Sequence, residues 1–363
     1  MTAAVRRRLD RHRQNKGISM NNNVLVTGGA GFIGSHLADY LLNQNFNVIV
    51  LDDLSGGFLE NVECVQSAKE PSNVQRDAIF VRGSILDQPL VDALFRQYRF
   101  TCVYHLAAYA AEGLSHFIKR FNYTNNLVGS VNLINAAVNY GTKCFVFTSS
   151  MAVYGSAQVP FTEDMQPQPE DSYGISKYAV EQELAITKDL FGLDYVIFRP
   201  HSVFGPRQNI GDRYRNVVGI FMNQILQGQP MTIFGDGMQM RAFSYIDDVV
   251  PIIAAAPQTP QAIGQVFNIG GDQPYTIDRL AHVVAGAIGV PCQIEHLEER
   301  HEVKFAYCSH DRVRKVFGCT PQTPLEEGVA KMAEWAQKHG ARTSKKFANI
   351  EIEKNLPASW RKN

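Results

Sequence analysis

The sequence predicts an α/β fold: a doubly wound parallel sheet joined to a smaller α/β lobe on its C-terminal side. Three observations lead there. Short apolar runs alternate with stretches of helical periodicity through the first 200 residues, the mark of repeated β-α-β units with helices on both faces. The first unit contains Val24-Leu-Val-Thr-Gly28-Gly29-Ala30-Gly31-Phe32-Ile33-Gly34-Ser35-His36, an apolar strand that turns through glycines into a helix. Past residue 200 the alternation loosens and Gly and Pro become frequent. At 363 residues the chain exceeds an ordinary single domain, so a second lobe is expected.

Taken in order, strands are expected at 24–27, 47–51, 78–82, 102–105, 143–148 and 194–198, where apolar residues run together. Helices are expected at 32–44, through Leu37, Leu41 and Leu42, then at 88–98, 124–140 and 172–191. In the lobe, helical stretches fall at 217–227, 276–289 and 324–338, with strand 243–246 and helix 247–255 crossing back to the main sheet. The division that results is a disordered basic leader at 1–22 and a Rossmann domain at 23–200, with 243–256 returning to it. A substrate lobe at 201–242 and 257–345 and a tail at 346–363 complete it. The leader carries Arg6, Arg7, Arg8, Arg11, Arg13 and Lys16 without the apolar stretch of a secretory signal.

The glycine turn carries the first chemistry. Gly28, Gly31 and Gly34 let the backbone turn tightly, approach a pyrophosphate and pack helix on strand, while the new helix aims free N–H groups and its positive end at the phosphates. Asn47-Val-Ile-Val-Leu51 ends in Asp52, placed to bond an adenosine ribose diol. No Lys or Arg occurs between residues 52 and 59 to hold a 2′-phosphate, so NAD is expected rather than NADP. Strand ends that meet such a ligand carry Ser84-Ile85, Leu106-Ala107-Ala108 and Thr148-Ser149-Ser150.

Other classes are excluded. Charge is balanced at 35 against 35, which removes a general attraction to nucleic acid or an anionic membrane. No apolar run reaches the ~18 residues of a membrane span. Six scattered cysteines show neither metal-ligand spacing nor C-x-x-C, so no metal is expected, and buried thiols in a reduced cytoplasm are.

Tyr173-Gly-Ile-Ser-Lys177 opens a strongly helical stretch. Residues four apart share a helix face, so phenol and ammonium enter one space, where the lysine charge, with a cationic nicotinamide ring, is expected to lower the phenol's pKa and make it a general base. Ser150, at a strand end, is positioned to bridge Tyr173 and a substrate oxygen; Ser149 and Tyr154 compete for that role.

With Thr27 before G-x-x-G-x-x-G, and with Ser150, Tyr173 and Lys177 in this order, the chain resembles the extended short-chain dehydrogenase/reductase superfamily, in its NAD-dependent nucleotide-sugar epimerase/dehydratase branch. Ser84 stands where that family usually has Asp. The resemblance implies an NAD contact set of Gly28, Gly31, Phe32, Ile33, Gly34, Asp52, Ser84, Ile85, Leu106, Ala107, Ala108, Tyr173 and Lys177, and catalysis by Ser150, Tyr173 and Lys177. Arg199-Pro-His-Ser202-Val-Phe-Gly-Pro-Arg207 is similar to the family's R-x-x-N-V-Y-G-P-R, with Ser202 in place of Asn. Gly235-Asp-Gly-Met-Gln-Met-Arg241 and Arg300-His-Glu302-Val303 are similar to two later elements, in which arginines grip the diphosphate. Ser202, Arg207, Arg241 and Arg300 are therefore expected at the nucleotide sugar, and Glu112 faces the hexose.

Departures from the pattern narrow the reaction. Met151 and Ala152 stand where the dehydratases and decarboxylases of the superfamily carry acids and the 3,5-epimerases a Cys. What remains is the minimal set for a 4-epimerase: oxidation at C4 by NAD, a 4-keto sugar, and return of the hydride to its other face. A UDP-hexose is expected, with a UDP-uronate 4-epimerase or a 4-keto-sugar reductase as alternatives. A catalytically inert NAD-binding module is the alternative from another class. The family also implies a homodimer through a four-helix bundle, here of helices 124–140 and 172–191, with Leu127, Val131, Ile134, Tyr178 and Leu184 as apolar candidates.

Overall fold

β1 (Asn23–Thr27) lies inside a seven-stranded sheet, and its residues are apolar on both faces; Val24, Leu25 and Val26 are all fully buried. Strands covered on both sides read as continuous apolar runs rather than alternations, which is why these were legible. The computed structural model describes residues 22–62, 78–299, 303–318, 322–343 and 347–361; of the basic leader, 1–21 lie outside the described residues. Around β1 run β2 (Asn47–Asp52), β3 (Ala78–Arg82), β4 (Cys102–His105), β5 (Cys144–Thr148) and β6 (Asp194–Pro200), all parallel. The spatial order is β3-β2-β1-β4-β5-β6, and the strand Gln265–Ile269 adds a parallel edge beside β6.

That edge strand differs from the expected division, which left 265–269 in the lobe. Its inward residues, Phe267 and Ile269, pack with Phe198 and Val196 in one core. Strand 243–246 does not reach the main sheet either: Ser244–Tyr245 pairs with Val203–Phe204 in a separate two-stranded sheet. The crossing back is made instead by the helix Ile246–Ala255, which packs on α1 (Phe32–Asn43).

Side chains of alternating strand residues build two cores. Val24, Val26, Val48 and Val50 meet Leu37 and Leu41 of α1 on one face. Leu25, Ile49, Leu51 and Val103 meet Leu94 and Phe95 of α2 (Gln88–Tyr98) on the other. Two short helices follow β4, α3 (Glu112–Ser115) and α4 (Lys119–Tyr123); a π turn at Thr124–Val128 then leads into α5 (Gly129–Asn139). α6 (Ser172–Phe191) has Asp171 as its N-cap and Gly192, at φ 73°, as its C-cap. The lobe holds helices Val217–Leu226, Ile277–Ile288 and Leu325–His339 with short strands between them. The tail docks: Trp360 is buried with Leu356, Leu114, Ile118 and Tyr214.

The expected dimer residues need correction. Ile134 and Leu184 are buried in the chain's own second core. The apolar residues that α6 exposes are Ile175, Ile186, Leu190 and Phe191, with Val128 exposed on the neighbouring π turn.

Candidate active site

The chain leaves β1 for β2 on one side while β4 lies on the other, so the sheet has a switch point between β1 and β4, where parallel α/β sheets bind ligands. A cavity of about 1330 Å³ lies there at the carboxyl ends of the strands. Its floor is the glycine turn. Gly28 adopts φ 67°, and a Cβ on it would fall 2.7 Å from the Ala107 nitrogen; one on Gly34 would fall 2.2 Å from the Gly28 oxygen. Neither position admits another residue without moving backbone. The first turn of α1 has no side-chain cap and no acid, so its N–H groups are left for an anion.

Asp52 closes the same end. One carboxylate oxygen accepts from Ala30 N at 3.0 Å and the other from Leu54 N at 2.8 Å, which fixes the group and leaves each oxygen a lone pair for a hydroxyl. Burial pushes its pKa up, against the backbone N–H groups that lower it. Thr27 and Ser130 hold the His105 ring from both sides, each at 2.8 Å, and Thr27 Oγ1 also accepts from Ala107 N. That clamp positions Leu106, Ala107 and Ala108 along the wall. Ser84 lines the cavity, with its hydroxyl accepting from Leu86 N at 3.2 Å. Arg342, brought in from far along the chain, faces Phe58 and is paired with Glu60, so it offers no unpaired cation for a 2′-phosphate. An anion-ready helix start, glycines a Cβ would obstruct and a fixed carboxylate together fit NAD.

The Asp171 cap, accepting from Gly174 N at 2.8 Å, starts α6 so that Tyr173 stands in its first turn and Lys177 one turn later. Both are buried, as is Ser150. The Ser150 hydroxyl lies close enough to the Tyr173 phenol to pull its pKa down, and it accepts from Ala152 N at 3.1 Å. Of its rivals, the Tyr154 hydroxyl is engaged elsewhere, donating to Asn268 and accepting from Arg199, while Ser149 also lines the cavity but its Oγ finds no partner among the described residues. Lys177 Nζ donates to the Thr148 carbonyl at 2.8 Å and lies 4.6 Å from the Phe147 ring centre and 5.8 Å from that of Tyr173.

In the chain alone, without a nicotinamide ring, the Tyr173 shift runs upward. Burial raises its pKa, Glu112 and Asp171 raise it further, and Ser150 and Arg215 pull it down. Lys177 does not offset this, because burial brings its own pKa down to about 7, opposed by Glu181. In the chain alone the phenol is neutral at physiological pH.

Every residue expected at the cofactor lines the cavity, as do Ser150, Glu112, Ser202 and Arg241. Ser202 adopts φ 40°, a backbone region Asn tolerates better than Ser. Arg241 donates to the carbonyls of Met240, Val303 and Lys304. Arg207 is not brought to the cavity; its guanidinium pairs with Asp39 on α1 at 2.7 Å. Arg300 lies outside the described residues. Arg215, one of the basic residues that make an acidic sugar conceivable from the sequence, also lines the cavity. Sequence reasoning missed Tyr109 and Phe347, which line it too and come from two distant stretches with no shared spacing.

Residues 24–270 match the NAD dependent epimerase/dehydratase family. The UDP-glucose 4-epimerase of Mycolicibacterium smegmatis is 36% identical over 86% of this chain and 97% of its own. A solved UDP-glucose 4-epimerase from Thermotoga maritima, with UDP-glucose, is 34% identical with a TM-score of 0.80, covering 87% of this chain and 99% of that one. The UDP-glucuronic acid 4-epimerase of Bacillus cereus, solved with UDP-glucuronic acid and NAD, is 30% identical with a TM-score of 0.78 over 87% and 99%. Glycine turn, strand order and the match over most of the length agree: the chain belongs to the NAD-dependent epimerase/dehydratase family.

Proposed function

We propose that the protein is an NAD-dependent nucleotide-sugar 4-epimerase acting on a UDP-hexose. The observation that carries this reading is the meeting of Ser150, Tyr173 and Lys177 beside the glycine turn, with Met151 and Ala152, which have no proton to give, directly after Ser150. Gly28, Gly31, Phe32, Ile33 and Gly34 would hold the pyrophosphate, Asp52 the adenosine ribose, Ser84 and Ile85 the adenine edge, and Leu106 to Ala108, Tyr173 and Lys177 the nicotinamide end. When bound, NAD supplies the hydride acceptor and donor for C4 and a positive ring charge that favours the Tyr173 phenolate.

The chain's own residues handle the proton. Tyr173 Oη takes it from the 4-hydroxyl, Ser150 orients that hydroxyl, and the proton returns by the same path. Glu112 and Asp171, which raise the phenol's pKa, favour the return. Lys177 stays within reach of the phenol through its bond to Thr148. Glu112, Ser202 and Arg241, with Arg300, are the proposed substrate contacts; Arg207 is set aside because Asp39 holds it outside the cavity. A UDP-uronate is the second reading, on the strength of Arg215 in the cavity wall. Its pairing with Asp212 at 2.8 Å favours the neutral hexose.

The same reading extends to a cytoplasmic homodimer. Exposed Ile175, Ile186 and Leu190 lie along one stripe of α6 near exposed Val128, an apolar face a second copy would cover. The cysteines at 102, 144, 292 and 308 are all free, as in a reducing compartment. We retain a Rossmann domain and a substrate lobe as the working division, with 265–269 moved to the former.

The test is incubation with UDP-glucose and UDP-glucuronate deuterated at C4, with product stereochemistry and label read by NMR. Inversion with retained deuterium is expected; washout of the label into solvent would show proton abstraction from carbon and defeat the reading.

A further inference from the structure

The segment Phe347–Arg361 is built into the cavity wall. Phe347, Ala348 and Asn349 line the cavity itself. The Phe347 ring packs on Tyr109 at 5.4 Å and Phe121 at 4.8 Å, and its N–H donates to the Tyr214 hydroxyl at 3.1 Å. Further along, the Glu351 carboxylate accepts from Arg120 N and Phe121 N at 2.8 and 2.9 Å, and Glu351 N donates to the Phe117 carbonyl at 2.8 Å. Trp360 anchors the far end, edge-on to Tyr214 at 5.2 Å and lying over Gly113 of α3, where an added Cβ would stand 3.3 Å from its ring.

These contacts fall on elements that surround Tyr173. α3 carries Glu112, the charge that most raises the Tyr173 pKa, and Ser115, whose hydroxyl accepts from Tyr173 N at 3.2 Å. Tyr214 belongs to the lobe, next to Arg215, which stacks on Tyr109 at 4.7 Å. The segment thus ties the α3–α4 region of the main sheet to the lobe across the Tyr173 end of the cavity. A buried Trp, a reciprocal carboxylate cap and backbone bonds are more than a loose tail needs.

We propose that Phe347–Arg361 is a wall of the substrate site that holds the hexose against Tyr173 and prevents the oxidised sugar from leaving before the hydride returns. This rests on the epimerase reading above. Loss of the wall lets a 4-keto sugar escape, which strands the cofactor in its reduced form: the hydride taken from C4 stays on the nicotinamide and the enzyme stops. Retention of that sugar, rather than cofactor binding, is what the segment supplies.

The experiment compares the intact protein with a chain ending at residue 346 and with Trp360→Ala, which keeps the segment but removes its anchor. Expected are a KM for UDP-glucose raised about tenfold, equivalent to about 1.4 kcal/mol of binding, and reduced cofactor accumulating in its near-ultraviolet absorbance, with NAD content unchanged. A second readout needs no turnover. The chain has two tryptophans, so in a Trp335→Phe background emission reports Trp360 alone, and it should change on titration with UDP-glucose. Unchanged KM and no stranded cofactor in both variants, with only a lower melting temperature, would make the segment merely structural and overturn the proposal while the epimerase reading stands. A Trp360 response to UDP-glucose in a protein that epimerises nothing would place the segment at a sugar-nucleotide site but defeat the epimerase reading and, with it, the retention of an oxidised sugar.

Discussion

Replacing Lys177 by Met should stabilise the cofactor-free protein while abolishing turnover. Lys177 is buried, and its pKa falls from the ordinary 10.5 to about 7. Each tenfold change in proton affinity is worth about 1.4 kcal/mol, so folding with this lysine costs on the order of 4 kcal/mol at neutral pH. The sign follows from proton counts. Between about 7 and 10.5 the unfolded chain binds the proton and the folded chain does not, so stability falls as pH drops through that window and the full cost is present below it. Met keeps the aliphatic stem but leaves the Thr148 carbonyl without its donor, an offset of about 1–3 kcal/mol. The net gain of about 1–3 kcal/mol should raise the melting temperature of the variant by about 1–4 °C at pH 6.5. The assay is calorimetry of both proteins, stripped of cofactor, from pH 6.5 to pH 9.5. The gap should shrink as pH rises. A wild type at least as stable as Lys177→Met at pH 6.5, or a gap independent of pH, would refute the reasoning.

Further outcomes are expected. Tyr173→Phe, which removes one oxygen, should retain fold and NAD content while turnover falls ~10²–10⁴-fold; near-normal turnover would remove Tyr173 from the chemistry. Ser150→Ala should lose less, and the double variant less than the sum, as measured by kcat, because both act on one proton. Asp52→Ala should weaken NAD by about tenfold in calorimetry, the loss of a bond to a charged group; tighter binding of NADP than NAD by the wild type would count against the assignment of Asp52. Leu190→Glu on the exposed stripe of α6 should convert a dimer to a monomer in light scattering, and a wild type already monomeric at micromolar concentration would rule the bundle out.

Local chemistry made most of this protein readable from residues alone. The central strands are buried on both faces, so they appear as short apolar runs; the glycine turn, Asp52, and the Tyr173–Lys177 pair depend on spacings of a few residues within one element, and such spacings survive in a linear text. Four features required the fold. Gln265–Ile269 joins the sheet through pairing with β6, a partner some 70 residues away, so nothing local marks it as a sheet edge. Arg207 sits in a family-like motif, yet Asp39 on another helix captures it, because a long cation pairs with whichever carboxylate the packing brings near. The shifts of Tyr173 and Lys177 were decided by burial, which outweighs the attraction between neighbours on one helix and is set by every element that excludes water from them. The wall made by Phe347, Glu351 and Trp360 is likewise tertiary: its residues acquire meaning only from α3, α4 and the lobe, against which the chain brings them to rest.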